Sequence, residues 1–259
     1  MPLRIIICCC LIAGLVGCTT VPPAQTAQTA QTSRPVNSYL RQGDDEFQKK
    51  NYEEAIAQWK RVKESGTVSP DISAMADLRI ADAQFESQKY LEASASYESF
   101  RKFHPNNMKA PYAMFRLALC YYNQMTGIDT DQTPVNNAVA MFENFLKQYP
   151  QSDYTADARV KLAECVDRQA QHEIYIGRYY YRTGKYGSSV KRLEECIARY
   201  PQAVSLDSAF VYLEKAYLKN GEKDKAREAY NRLLFRFPTS KLLKEAAENL
   251  DKKSGLLPW

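Results

Sequence analysis

From Gly43 to Pro238 the chain repeats one arrangement of residue types. A small residue and an aromatic precede a tight turn; an Ala or Ser, then an aromatic or Leu, then a closing Pro follow at fixed offsets. The clearest copy reads Gly177, Tyr180, Tyr186, Ser189, Leu193, Cys196 and Pro201, and another reads Ala81, Tyr90, Ala93, Tyr97, Phe100 and Pro105. The first copy, with Gly43, Tyr52, Ala55 and Trp59, has no closing Pro, and the last keeps Tyr217, Ala226, Tyr230, Leu233 and Pro238. The middle copy holds Ala118, Tyr121, Ala138, Phe142, Phe145 and Pro150 around an insertion. Small side chains let two helices approach, and the large ones at Trp59, Tyr97, Phe142 and Tyr230 fill the space between successive pairs. One helix pair cannot bury its apolar face alone, so pairs must stack into a continuous core.

The pattern is that of the tetratricopeptide repeat, whose ideal period is 34 residues. Every spacing here is longer, so the connections have grown. In the third repeat the extra length falls in Met125 to Pro134, where Gly127, Asp129, Asp131 and Pro134 predict a loop. Before the fourth it falls in Tyr154 to Arg182, which has no proline and begins after Ser152 and Asp153, so a single helix about 43 Å long is expected. The predicted fold is all-α: a solenoid of about five helix pairs with a long helix leading into the fourth repeat. Repeats 1–3 occupy 38–150; repeats 4–5 and a tail occupy 151–259.

The amino terminus predicts an address. Arg4 and the terminal amine precede an apolar run, Ile5 to Leu15, too short to span a bilayer, and Leu15-Val16-Gly17-Cys18 resembles a bacterial lipoprotein signal. An ordinary cleaved signal with an incidental Cys18 calls for an Ala-x-Ala-like site, which is absent between Leu15 and Thr20. Residues 1–17 are therefore read as a signal peptide that removes Cys8, Cys9 and Cys10, leaving Cys18 lipidated and the chain held to a membrane by its acyl chains. The Pro-, Gln-, Thr- and Ala-rich stretch that follows is expected to be a disordered tether over 18–37.

Composition and spacing exclude several functions. The formal net charge is +5, too small an excess to argue for nucleic acid, where a clustered basic face is expected. His104 and His172 lie in different repeats and outside any metal pattern; the first reads as a helix-terminal residue and the second as a polar position on the long helix. Asp129 and Asp131 lack the Gly and Glu of a calcium loop, and neither a phosphate-cradling glycine loop nor G-x-S-x-G occurs. The chain is read as a scaffold without enzymatic activity, metal or cofactor beyond the lipid on Cys18. Cys120, Cys165 and Cys196 are expected as buried thiols, because Cys165 falls about 10 Å along the helix from the residue opposite Cys196.

If the first helix of each repeat lines the concave face, then Asn37, Asp44, Phe47, Asp82, Phe85, Tyr112 and Tyr122 lie on or near a peptide groove. Aromatic pockets there suit alternate side chains of an extended peptide, and Asn37 and Asp44 suit its backbone. Phe115 is assigned to the core instead.

Asp131-Gln132-Thr133-Pro134, Ala140, Phe142, Phe145, Tyr149-Pro150, Ser152, Tyr154, Ala158-Arg159, Asp167-Arg168, Ala170, Glu173, Tyr175 and Gly177-Arg178-Tyr179-Tyr180 together resemble the BamD family, tetratricopeptide lipoproteins of the machine that inserts β-barrels into the bacterial outer membrane. The resemblance implies a non-enzymatic adaptor, anchored in the outer membrane and facing the periplasm. Its amino-terminal repeats would receive targeting segments of unfolded outer-membrane β-barrel proteins. Its carboxy-terminal repeats would dock on the POTRA region of BamA beside other assembly-machine lipoproteins. Arg192, in Val190-Lys191-Arg192-Leu193-Glu194, matches an arginine that family members use against BamA; an exposed helix arginine without a partner is the competing reading. Thr19 and Thr20 after Cys18, with no Asp, fit outer-membrane sorting in such lipoproteins. The alternative is another periplasmic tetratricopeptide lipoprotein, such as a pilotin or a cell-wall coordinator.

Overall fold

The computed structural model describes residues 25–66 and 68–254, with side chains from 35 to 251 apart from residue 67. The signal segment 1–17, the lipid site Cys18 and the tether as far as residue 24 lie outside the described residues. Those described form α1 (Gln25–Gln48), α2 (Tyr52–Glu64), α3 (Pro70–Glu86), α4 (Tyr90–Phe103), α5 (Ala110–Asn123), α6 (Thr133–Gln148), α7 (Thr155–Arg182), α8 (Tyr186–Arg199), α9 (Leu206–Asn220), α10 (Lys223–Arg236) and α11 (Leu243–Ser254). The first ten make five antiparallel pairs, each packed on the next, and α11 covers the end of the stack against α9 and α10.

Local chemistry sets the boundaries. The tight turns inside pairs each carry one left-handed residue: Lys50 (φ 64), Gln88 (φ 62), Gly184 (φ 74) and Gly221 (φ 83). Between pairs, His104, Tyr149, Tyr200 and Phe237 cap α4, α6, α8 and α10 immediately before Pro105, Pro150, Pro201 and Pro238. A residue before proline is pushed out of the helical region, so the closing Pro stops each second helix. At the start of α3, Ser69 accepts the Ile72 N–H at 3.3 Å and Pro70 occupies the first turn, where its missing N–H costs nothing.

The repeat signature reads directly as packing. Trp59, Tyr97, Phe142, Leu193 and Leu233 are buried between pairs. A Cβ built on Gly43 would lie 2.3 Å from Trp59 Nε1, and one on Gly177 would lie 2.6 Å from Leu193 Cδ2, so these glycines exist for close approach. Tyr230 is only half-buried, and Ala229 and Leu233 fill the fifth repeat in its place. Tyr52, Tyr90, Tyr121, Tyr180 and Tyr186 are also half-buried, each an aromatic body in the seam with its polar end near water.

The long helix α7 is one piece of 28 residues, about 42 Å. Its first half places Ala158 and Cys165 in a core with Phe142 and Phe145, and its second half places Ala170 and Ile174 in a core with Leu193 and Phe210. It thereby splints two cores that do not otherwise share a helix. The inserted loop folds back onto it, the His172 imidazole donating from Nδ1 to the Ile128 carbonyl at 2.5 Å, and on α6 Asn136 Oδ1 accepts from Gln169 Nε2 at 2.8 Å.

One boundary differs from expectation. The tether was expected to run to residue 37, whereas α1 begins at Gln25 and already contains Asn37. Ala and Gln are good helix formers, and Val36 and Leu40 bury against α2 and α3, giving the preceding residues a packed helix to extend. The tail also contains α11, whose Ala246 is fully buried. Cys120, Cys165 and Cys196 are free and buried.

Candidate peptide groove and docking face

Successive odd-numbered helices are joined along one face by polar and cation–aromatic contacts. Between α1 and α3, Arg79 Nη1 stands 2.8 Å from Asp44 Oδ1, an ion pair without hydrogen-bond alignment. The Arg79 guanidinium lies 5.9 Å from the Trp59 ring, and Phe47 packs on Trp59 and Tyr52 with centroid distances of 5.8 and 5.5 Å. Asp44, Phe47, Gln48, Trp59, Arg79 and Asp82 enclose an open cavity of about 330 Å³. Three of the expected groove residues, Asp44, Phe47 and Asp82, therefore share one site.

Between α3 and α5, Asp82 Oδ1 accepts the hydroxyls of Tyr97 at 2.5 Å and Tyr112 at 2.8 Å. Arg116 donates from Nε to Tyr97 Oη at 3.2 Å, pairs with Glu86 at 2.8 Å, and lies 3.7 Å above the Phe85 ring. Burial pushes the Asp82 carboxyl above the usual carboxylate range, while the two hydroxyls and Arg116 pull it back. Burial, with the Asp82 charge, also raises the Tyr97 and Tyr112 phenols, so both remain donors. This network locks α3 to α5, and Phe85 is capped by Arg116 rather than open.

Tyr122 is likewise occupied by α7. Its hydroxyl donates to Glu164 and receives Lys161 Nζ at 3.2 Å, with that ammonium 4.4 Å from the ring centroid. Tyr112 faces two ways: beyond Asp82 it borders a cleft of about 560 Å³ with Pro111, Tyr149 and Tyr154. Asn37 is exposed two turns before Asp44 on α1, about 10 Å along the axis. Phe115 stacks on Tyr154 at 5.1 Å inside the third-repeat core.

The sequence reading missed Arg79 and Arg116, although a signal was present. Each lies about one repeat after an acid on the preceding odd-numbered helix, Asp44 and Asp82.

On the fourth repeat, Arg192 is part-exposed and pairs through Nη1 with Glu173 Oε2 on α7 at 3.1 Å. It also borders a shallow cavity of about 260 Å³ with Tyr180, Ser188, Lys191 and Glu195. Tyr175 and Tyr179, also on α7, are 42% and 56% exposed. Among the described residues, no group of three or more His, Cys, Asp or Glu side chains is arranged to hold a metal ion.

The chain is 27% identical over 246 residues to the outer membrane protein assembly factor BamD of Caulobacter vibrioides, covering 95% of this chain and 79% of that one. It is 25% identical to the protein of the same name from Neisseria meningitidis serogroup A, covering 86% and 85%, and 26% identical to that of Rickettsia prowazekii, covering 80% and 82%. Among solved structures, the TPR2AB-domain:pHSP90 complex of yeast Sti1 aligns over 85% of this chain and 90% of that one, at 14% identity and a TM-score of 0.42. The family model described as YfiO, outer membrane lipoprotein, matches residues 32–251, every repeat and the long α7 between them, and the chain belongs to that family.

Proposed function

We propose that this protein is a non-enzymatic adaptor of outer-membrane β-barrel assembly. In this reading it is held at the outer membrane by lipid on Cys18 and faces the periplasm. Repeats 1–3 receive a targeting segment of an unfolded β-barrel protein, and the fourth repeat docks on the POTRA region of BamA through Arg192 while other assembly-machine lipoproteins bind elsewhere. The observation that carries the reading is the cavity at Phe47, Trp59, Arg79 and Asp82: an aromatic wall beside a paired acid and guanidinium suits a side chain and the adjoining backbone of an extended peptide. The relatives' shared name supports the same assignment.

A crosslinking pulldown from envelope membranes tests it. BamA should be recovered, together with unfolded barrel proteins crosslinked to residues lining that cavity. Recovery of a secretin without BamA would overturn the reading. Replacing Cys18 with Ser should release the protein from membranes; retention in high salt would mean that something other than lipid holds it.

A further inference from the structure

The edge of the solenoid at which odd-numbered helices begin and even-numbered ones end carries exposed apolar side chains, Phe103 and Met108 between α4 and α5 and Phe235 at the end of α10. Between α4 and α5 the chain reads Arg101-Lys102-Phe103-His104-Pro105-Asn106-Asn107-Met108-Lys109, with no acidic residue. Phe103 is 68% exposed and Met108 88%. Such large apolar side chains at a turn tip contribute nothing to the core, whereas the intervening His104 is tied down by Asp77 at 3.0 Å and by the Phe100 ring. Among the described residues, Arg101, Lys102 and Lys109 form no ion pair; Lys102 lies 5.8 Å from the Phe103 ring centroid instead. Beside the turn, Arg101 and Lys147 stand at the wall of an open cavity of about 400 Å³ that also includes Met114 and Met141.

We infer that this turn is a second membrane contact, in which Phe103 and Met108 enter the interfacial region of an anionic phospholipid surface while Arg101, Lys102, Lys109 and Lys147 meet its phosphates. Apolar tips flanked by unpaired cations are what an interface with an apolar interior and an anionic surface selects. The course of the chain supports that occupant. Helix α1 starts at the same edge, so the 24 residues before Gln25, including Cys18, leave from the side that bears Phe103 and Met108. Six residues lie between Cys18 and Gln25, and the seven steps they make span at most about 25 Å, so a lipid there confines the scaffold near the bilayer without orienting it. The turn supplies the missing orientation. This inference rests on the outer-membrane placement proposed above, though not on the groove or the BamA contact.

The test uses the full lipid-anchored protein in vesicles of phosphatidylethanolamine and phosphatidylglycerol. An environment-sensitive fluorophore is placed in turn on Phe103→Cys, Met108→Cys and, at the opposite edge, Leu91→Cys, itself 71% exposed. The native thiols at 120, 165 and 196 are buried, with pKa values pushed by burial up to about 12, and resist labelling. Probes at 103 and 108 should shift to the blue and be quenched by doxyl-labelled lipid while the probe at 91 stays aqueous. Replacing Arg101, Lys102 and Lys109 together by Gln, or using neutral phosphatidylcholine, should abolish the difference. Probes at 103 and 108 as aqueous as at 91 overturn the proposal, as does shielding that appears only when a protein partner is added. Mass spectrometry of the same sample reports acylation of Cys18, so a missing anchor is recognised separately; an unanchored chain is then read by flotation with the same vesicles.

Discussion

Gly43 lies against the face of the Trp59 indole so closely that a methyl group at 43 would sit 2.3 to 2.7 Å from three ring atoms. Trp59 is 2% exposed, packs on Phe47 and shares a buried cluster with Val62, so the ring can yield only toward the cavity it walls with Phe47 and Arg79, at the cost of those contacts. Gly43→Ala should therefore destabilise the first repeat by about 1–3 kcal/mol, the range for overpacking. Gly177→Ala meets Leu193, whose rotamers give more readily, and should cost less. Urea denaturation of both variants checks the order; equal midpoints would show that the indole shifts freely.

The turns at Lys50 and Gln88 hold non-glycine residues in the left-handed region, where Gly184 and Gly221 stand in repeats four and five. Lys50→Gly and Gln88→Gly should each relieve a backbone cost of about 1 kcal/mol, partly offset by the entropy glycine loses on folding. Thermal unfolding should show a small rise in Tm, and a fall would mean that the side chains at 50 and 88 contribute more than their backbone strain costs.

The repeat core was legible because its residue types obey a packing rule that is local in sequence. A glycine or alanine sits where two helices touch, a large side chain lies in the next layer, and a proline ends the pair. The length of α7 was legible for the same reason, since Tyr154 to Arg182 has no proline. The groove was only partly so. Position on the first helix of a repeat places Phe85 and Tyr122 on the inner face, but whether a ring is open depends on Arg116 and Lys161 arriving from the next odd-numbered helix, a tertiary fact. The start of α1 was misplaced because low hydrophobicity reads as disorder unless a packed helix downstream extends into it.

Beside Asn249 of α11, Glu214 on α9 is fully buried, with neither carboxylate oxygen in an aligned hydrogen bond among the described residues. Burial raises its pKa from 4.5 to about 8. Because the folded pKa exceeds the unfolded one, the native state binds the extra proton, and stability falls as pH rises from about 4.5 to about 8. Glu214→Gln should remove that slope and stabilise the protein near pH 8 by on the order of 3 kcal/mol, with little effect at pH 4. Chemical denaturation at several pH values reads both terms, and a variant with the parent's slope would sink the assignment.

Phe47 and Arg79 wall the first-repeat cavity without being fully buried. Phe47→Ser and Arg79→Ala should each weaken binding of a peptide copied from the carboxy-terminal strand of an outer-membrane barrel by about tenfold, the scale of losing one apolar anchor or one charge-assisted contact. Phe103→Ser, remote from the cavity, should leave peptide affinity unchanged. Fluorescence anisotropy with a labelled peptide separates the cases, and equal affinities throughout would move the peptide site elsewhere.

Arg192 does not stand free; its guanidinium is held 3.1 Å from Glu173 on α7. That pair positions the forked head at the repeat surface and leaves further N–H donors for a partner carboxylate. In the proposed docking BamA shares the guanidinium with Glu173, an arrangement that two substitutions distinguish. Arg192→Glu removes the donor and sets a like charge beside Glu173, so co-purification of BamA should be lost while the fold survives, because an exposed substitution perturbs stability little. Glu173→Gln keeps a neutral acceptor, frees the arginine and should leave docking intact or strengthen it. If both substitutions abolish co-purification equally, the partner reads the α7–α8 pair as a unit rather than the arginine. If neither does, the exposed Tyr175 and Tyr179 are the next candidates for the contact.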